Sequence, residues 1–369
     1  MAARDYTINA DTIRRTDEMG LGSAAWYKSP IPRQQLKQLM QRRDGPALRD
    51  TAIWLGGLVV SGTAGYVTWG TWWAVPCFLV YGVLYGGATD SRWHECGHGT
   101  AFRTQWLNDA VYEIACFMIL REPTVWRWSH TRHHTDTIIV GRDPEIGVKR
   151  PPDILGILLN VFALKSSVAA IRSVLLHATG GVTDEEATFI PETERPKVYR
   201  TARIWLAIFA AVIALAIATR SILPLMYVGL PTLYGAWFVI LVGLTQHAGL
   251  AEDVLDHRLN TRTVYMNPVF RFLYWNMNYH VEHHMFPTVP YYALPQLHEA
   301  MKADSPPPYP NILAAYREIV PALMRQRKDP EYFVVRPLPG NAKPFADYEP
   351  FANLGGMTGT TRNVAGAAE

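Results

Sequence analysis

The chain is poor in cysteine, and that scarcity excludes several chemistries at once. Its 369 residues hold three cysteines, Cys77, Cys96 and Cys116, and no CxxC pair. A disulfide framework needs more of them, and an iron–sulfur site needs about four thiolates. Strong charge of one sign is also missing. The formal net charge is +3, so no basic stripe points to nucleic acid. The first fifty residues are polar and carry no apolar signal segment, from which no secretory signal peptide is expected. Internal repeats are absent too.

Charge is scarcest in four long runs: 52–70 (AIWLGGLVVSGTAGYVTWG), 72–88 (WWAVPCFLVYGVLYGGA), 204–219 (IWLAIFAAVIALAIAT) and 222–246 (ILPLMYVGLPTLYGAWFVILVGLTQ). A helical membrane span takes about 20 mostly apolar residues. The first two runs are separated by a residue or two, the last two by Arg220 and Ser221. The expectation is therefore an all-α integral membrane protein with four transmembrane helices in two hairpins. Arg33, Lys37, Arg42, Arg43 and Arg49 precede the first run, and Arg195, Lys197, Arg200 and Arg203 precede the third, whereas the opposite turns hold only Arg220. The positive-inside rule then puts both termini in the cytoplasm, for a bacterial chain beneath the inner membrane.

The domain reading follows: residues 1–50 a cytoplasmic N-terminal segment, 51–301 the membrane domain, 302–336 a helical C-terminal extension, and 337–369 a Gly/Pro/Ala/Thr-rich tail expected to be disordered. The stretch 154–177 is apolar but interrupted by Lys165 and Arg172, as in a helix lying in the membrane interface. Two soluble helices are expected over 291–327, split by SPPPYP.

Histidine is abundant and clustered. Eight of the twelve fall in three short motifs: His94 and His98 in HECGH, His130, His133 and His134 in HTRHH, and His280, His283 and His284 in HVEHH. Spacings of three and four place imidazoles on one helix face. Neutral imidazole is a ligand for iron, copper, zinc and nickel, and eight exceed what one ion takes, so two metals are expected. All three clusters fall on the cytoplasmic side. His247, at the end of the fourth run, is a candidate ninth ligand with His257 in reserve; His177 and His298 read as ordinary packing histidines. Acids near the clusters, Glu95, Asp136, Asp143, Glu145, Asp253 and Glu282, are candidates to orient the imidazoles. Trp126, Trp128, Tyr274, Trp275 and Tyr279 could line a substrate channel or simply pack.

Two rival readings exist. HECGH alone fits HExxH, the zinc-protease motif with Glu95 as general base, but leaves the other clusters unexplained. A receptor or transporter predicts ionisable residues inside the spans, and the four runs have essentially none.

The order HxxxH, HxxHH, HxxHH resembles the histidine boxes of the membrane fatty acid desaturase and hydroxylase superfamily, and VEHHMFPTVPYYALPQLH resembles the flank of acyl-lipid desaturases. The likeness runs from about Ala52 to about Met301. It implies four transmembrane helices, a cytoplasmic helical cap, a non-haem di-iron centre and O2 as co-substrate. The implied ligands are His94, His98, His130, His133, His134, His247, His280, His283 and His284, and no other catalytic residue is expected. The implied reaction is hydroxylation or desaturation of an unactivated C–H bond in a lipid, fatty acyl or hydrocarbon substrate. WHECGHGTAF, WRWSHTRHHTDT with GRDPE, and NMNYHVEHHMFP resemble an oxygenase subgroup associated with bacterial rhizopine catabolism, which would instead imply oxidation or N-demethylation of a small polar amine. No HPGG stretch marks a fused cytochrome b5 domain. Electrons are expected from a separate carrier, a ferredoxin with its reductase, docking on the basic cytoplasmic face.

Overall fold

The computed structural model describes residues 4–22 and 25–342, and the expected tail lies largely outside them. Every regular element among the described residues is helical; the only β contacts are isolated bridges, Thr263 with Tyr279 and Val264 with Tyr309. The molecule divides into an apolar helical half and a polar cap.

The first hairpin forms as expected, with different helix limits. Asp44–Val67 is one helix of 24 residues, beginning well before the first apolar run. Asp44 sits in its first turn, where a negative charge complements the exposed N–H groups. Gly65 lets the Phe78 ring of the returning helix come close: a Cβ there would lie 2.9 Å from it. The second run forms Ala74–Gly82, a π-turn at Val83–Gly87 and then Thr89–Gly97, which carries the first histidine motif.

The expectation of four transmembrane helices is only partly met. Among the described residues one unbroken helix, Arg195–Ala218, has a stretch long and apolar enough to cross a bilayer. At 1.5 Å per residue it reaches about 36 Å. The fourth run is broken into Leu223–Tyr227, Pro231–Tyr234 and Trp237–His247. The cause lies in its composition: Pro224 and Pro231 lack an N–H for the helical ladder, and Gly229 adopts a left-handed φ of +98°. Gly235 then packs against the first hairpin so closely that a Cβ would lie 1.8 Å from the Gly82 carbonyl oxygen. The expected interfacial segment is two helices, Ile154–Asn160 and Leu164–Ala178, bent by 79° and together apolar enough to count as a second candidate span. Large apolar side chains point outward across this half, Trp72 at 91% exposure and Ile217 at 72% among them. Soluble proteins rarely expose such contiguous apolar surface.

The cap encloses the histidine motifs. Leu294–Met301 and Ile312–Gln326 are the two C-terminal helices expected on either side of the proline-rich turn. The N-terminal segment straps across the cap. Arg4 pairs with Glu252 at 2.7 Å and with Glu331 at 2.5 Å, the Tyr6 hydroxyl donates to Glu252 at 2.9 Å, and Trp26 stacks on His257 with ring centroids 4.3 Å apart.

Candidate metal centre

Each histidine motif lies on or at the end of a helix. HECGH closes Thr89–Gly97, HTRHH lies in Pro123–Thr135, and HVEHH opens His280–Met285, while His247 ends Trp237–His247. One helical turn separates His94 from His98, His130 from His134 and His280 from His284, so each pair presents its rings to the same side.

The structure brings all nine candidate histidines into two adjoining sets. In the first, His94 Nε2 lies 2.8 Å from His283 Nε2, His98 Nε2 lies 3.1 Å from His130 Nε2, and His134 Nε2 lies 3.2 Å from both His130 and His283. The five imidazoles offer nitrogens that all fall within 4.8 Å of one another. The second set holds His133, His247 and His284, again within 4.8 Å. His280 joins it, its Nε2 lying 3.2 Å from His247 and 3.1 Å from His284. The sets meet where His134 stacks on His284, centroids 4.4 Å apart. HTRHH and HVEHH each serve both sets, because the middle histidine of each, His133 and His283, is out of step with its i,i+4 pair.

The outer ring nitrogens show what the inner ones are for. His130 Nδ1 lies 3.0 Å from Glu145, His133 Nδ1 lies 2.8 Å from Asp143, and His247 Nδ1 lies 2.9 Å from the Asn260 carbonyl oxygen. A neutral imidazole has one N–H, and an acceptor at Nδ1 takes it. Nε2 is then a lone pair aimed inward. Burial, with neighbouring imidazoles adding to it, holds His94, His98, His134, His280, His283 and His284 well below the usual histidine range. His247 is lowered likewise. His133 differs: burial lowers it, but the Asp143 carboxylate more than offsets this and raises it. Buried neutral imidazoles with converging lone pairs form a donor set suited to borderline divalent metals. The residues present therefore fit a pair of metal ions. The Nδ1 atoms of His134, His280 and His283 are buried without hydrogen-bond partners.

Asp143 and Glu145 come from GRDPE, on the loop after Pro123–Thr135. Asp143 is itself held by the Ile138 and Glu145 N–H groups at 2.7 Å, and Glu145 by the Ser129 hydroxyl at 2.7 Å. The other four acids do not touch the nine histidines. Asp136 pairs with Arg132 and Arg142, Asp253 accepts the Val140 N–H, and Glu282 binds His298 and Thr263. Glu95 turns away from the centre, accepting the Thr100 hydroxyl at 2.6 Å and the Tyr291 N–H at 3.0 Å. That orientation removes the general base the protease reading requires.

His257 is buried against the cluster, its ring centroid 5.2 Å from His284, but its nitrogens are not among those that converge. His177 pairs with Glu186 at 3.1 Å, and His298 sits between Glu282 and Tyr265. Sequence reasoning missed Asn260 and Thr137. The Thr137 hydroxyl donates to the His133 carbonyl at 2.7 Å and lies 3.2 Å from His284 Nδ1. A carbonyl and a hydroxyl leave no signal in a search for charged partners. The candidate channel aromatics pack instead: Trp275 stacks on Tyr291 at 4.3 Å, Tyr279 lies against His298, Tyr274 accepts from Gln246, and Trp126 lies beneath Arg121. Trp128 is surface-exposed.

Fold and site define a helical protein with an apolar outer half and a buried polyhistidine centre in its cap. The sequence profile of the fatty acid desaturase family matches residues 68–315, and the chain belongs to that family. It is 26% identical over 265 residues to an endoplasmic-reticulum omega-6 fatty acid desaturase of Brassica juncea, covering 64% of this chain and 67% of that one. It is 24% identical over 254 residues to an acyl-lipid omega-3 desaturase (cytochrome b5) of Arabidopsis thaliana, covering 63% and 64%. To a delta(12) acyl-lipid conjugase of Impatiens balsamina it is 26% identical over 263 residues, covering 64% and 67%. The matches thus span about two thirds of each relative's length. The family makes this chain a membrane oxidoreductase of the desaturase and hydroxylase superfamily.

Proposed function

We propose that the chain is an O2-dependent, non-haem di-iron enzyme that desaturates or hydroxylates an unactivated C–H bond of a fatty acyl or other hydrocarbon substrate at the membrane surface. The observation that carries this reading is the convergence of nine imidazoles in two adjoining sets. His94, His98, His130, His134 and His283 would hold one iron, and His133, His247, His280 and His284 the other. Bound there, the iron pair supplies reductive activation of O2, with electrons from a separate carrier protein such as a ferredoxin. The protein's own part is positioning and exclusion. Glu145, Asp143 and Asn260 fix three imidazoles with Nε2 inward. The N-terminal strap and the 136–150 loop close the cytoplasmic side, and the apolar half keeps the substrate's side of the centre within reach of lipid. The GRDPE and WHECGHGTAF flanks support a second substrate class, a small polar amine oxidised by the same centre; a bacterial inner-membrane location goes with either.

The test is metal content and Mössbauer spectra of detergent-purified protein grown on iron-57, beside His133→Ala. About two coupled irons per chain, lost in the variant, is the expected result for a two-metal imidazole site. One zinc, no iron and an unchanged variant would overturn it.

A further inference from the structure

The proposed oxidation consumes electrons, which the reading above draws from a separate carrier protein. Resting on that reading, we propose that an acidic electron-carrier protein docks in the groove formed by Met40, Gln41, Arg42, Arg43 and Arg103. The groove is an open depression of about 530 Å³. All five lining residues are exposed. Among the described residues none of the three guanidinium groups forms an ion pair, although the Asp44 carboxylate, held by the Thr104 N–H and hydroxyl, feels the charge of Arg103. Arg14, Lys165 and Lys197, by contrast, pair with Asp11, Asp153 and Glu194. Three unpaired positive charges around one concavity favour a negatively charged surface and speed its approach.

The groove also leads inward. The Arg43 N–H donates to the Tyr292 hydroxyl at 2.6 Å. Tyr292 follows Tyr291, whose N–H donates to Glu95 at 3.0 Å. Glu95 is next to His94 on the Thr89–Gly97 helix. Two adjacent residues, Tyr292 and Tyr291, and two hydrogen bonds therefore join the groove wall to the backbone that carries His94 and His98. Tyr291 is further fixed by Asp50 at 2.7 Å and by its stack on Trp275, so this connection is rigid. An electron delivered at the groove enters through the first histidine set.

The experiment uses the full chain in nanodiscs of neutral phosphatidylcholine and a plant-type [2Fe–2S] ferredoxin as the acidic probe, with binding read by surface plasmon resonance. The unaltered chain and Arg327→Glu, a reversal elsewhere on the surface, are expected to bind alike. The triple variant R42E/R43E/R103E is expected to bind at least about 30-fold more weakly at low ionic strength, and the gap should close at high salt, where the Debye length falls to about 3 Å. R42K/R43K/R103K should restore most of the binding, which a misfolded variant could not do. No ferredoxin binding by the unaltered chain, or equal binding by the triple glutamate variant, overturns the proposal. So does loss of binding to phosphatidylglycerol vesicles with ferredoxin docking unchanged, because the groove would then be a lipid-phosphate site. A chain that holds two irons yet docks ferredoxin elsewhere leaves the di-iron reading standing and removes only this one.

Discussion

The cap and the apolar half were built under different rules. In the cap a buried polar atom must meet a partner, because an unmet one costs about 1–3 kcal/mol. His130, His133, His247 and His284 are accordingly fixed by carboxylates, a carbonyl and a hydroxyl, whereas the Nδ1 atoms of His134, His280 and His283 have no hydrogen-bond partner. In the apolar half the side chains face outward and positions are set by backbone fit: Gly65 against Phe78, Gly86 against the Pro231 carbonyl, and Gly235 against the Gly82 carbonyl. One region is specified by donors and acceptors, the other by the absence of a Cβ. The first tolerates little change of chemistry and the second little change of volume.

That contrast breaks most sharply at His134, where the two sets meet. His134→Ala removes a ring whose Nε2 faces His130 and His283 and whose face covers His284. Iron should fall from about two per chain to one or none, since both halves of an imidazole site lose support. Retention of both irons, measured by elemental analysis, would mean that His134 is not a required ligand of either set. Next in size is Gly235→Val. Its Cβ would sit 1.8 Å from backbone oxygen, which cannot rotate away, so the cost should exceed the usual ~1–3 kcal/mol of core overpacking. The expected outcome is a large drop in thermal midpoint in detergent. An unchanged midpoint would show that the broken fourth run does not pack on the first hairpin as described.

The same contrast explains what was legible in the sequence. The histidine spacings obey helix geometry, so HECGH, HTRHH and HVEHH could be read as faces before any coordinates. His247 was legible by position alone, at the end of an apolar run. Asp143 and Glu145 stood among six nearby acids with nothing to single them out, because their selection depends on how the 136–150 loop folds back onto Pro123–Thr135. The apolar runs gave the hairpin order but not helix continuity. Run length measures hydrophobicity, whereas Pro224, Gly229 and Pro231 decide whether the backbone ladder persists. The helix starting at Asp44 was underestimated for the opposite reason: its first turns are polar, as suits a segment inside the cap.

Asp143→Asn tests the cap's rule at smaller scale. The amide keeps an oxygen to accept from His133, but loses the charge that raises that imidazole's affinity for protons and, equally, its basicity toward a metal. Replacing such an outer partner typically lowers metal affinity about 10–100-fold. Competition with a chelator should show this, with helical content by circular dichroism unchanged. An affinity equal to that of the unaltered chain would make Asp143 a loop-folding residue only.

Glu95→Gln should do least, although it changes the middle of a histidine motif. Glu95 is fully buried, and burial raises its carboxyl to about 7. Its Oε1 accepts from Thr100 and Tyr291 while Oε2 has no hydrogen-bond partner. Glutamine keeps that accepting oxygen and replaces the partnerless atom with an amide that is equally without one, so the cost should be about 1 kcal/mol or less. Iron content is expected to stay unchanged, and oxidation to persist within a few-fold. A zinc protease would behave otherwise, since its hydrolysis would vanish with the general base. Loss of all activity with the metal retained would therefore place Glu95 in the chemistry, against the side chain's outward turn, and would join the cap's packing to its reaction at the one acid of the motif that faces away.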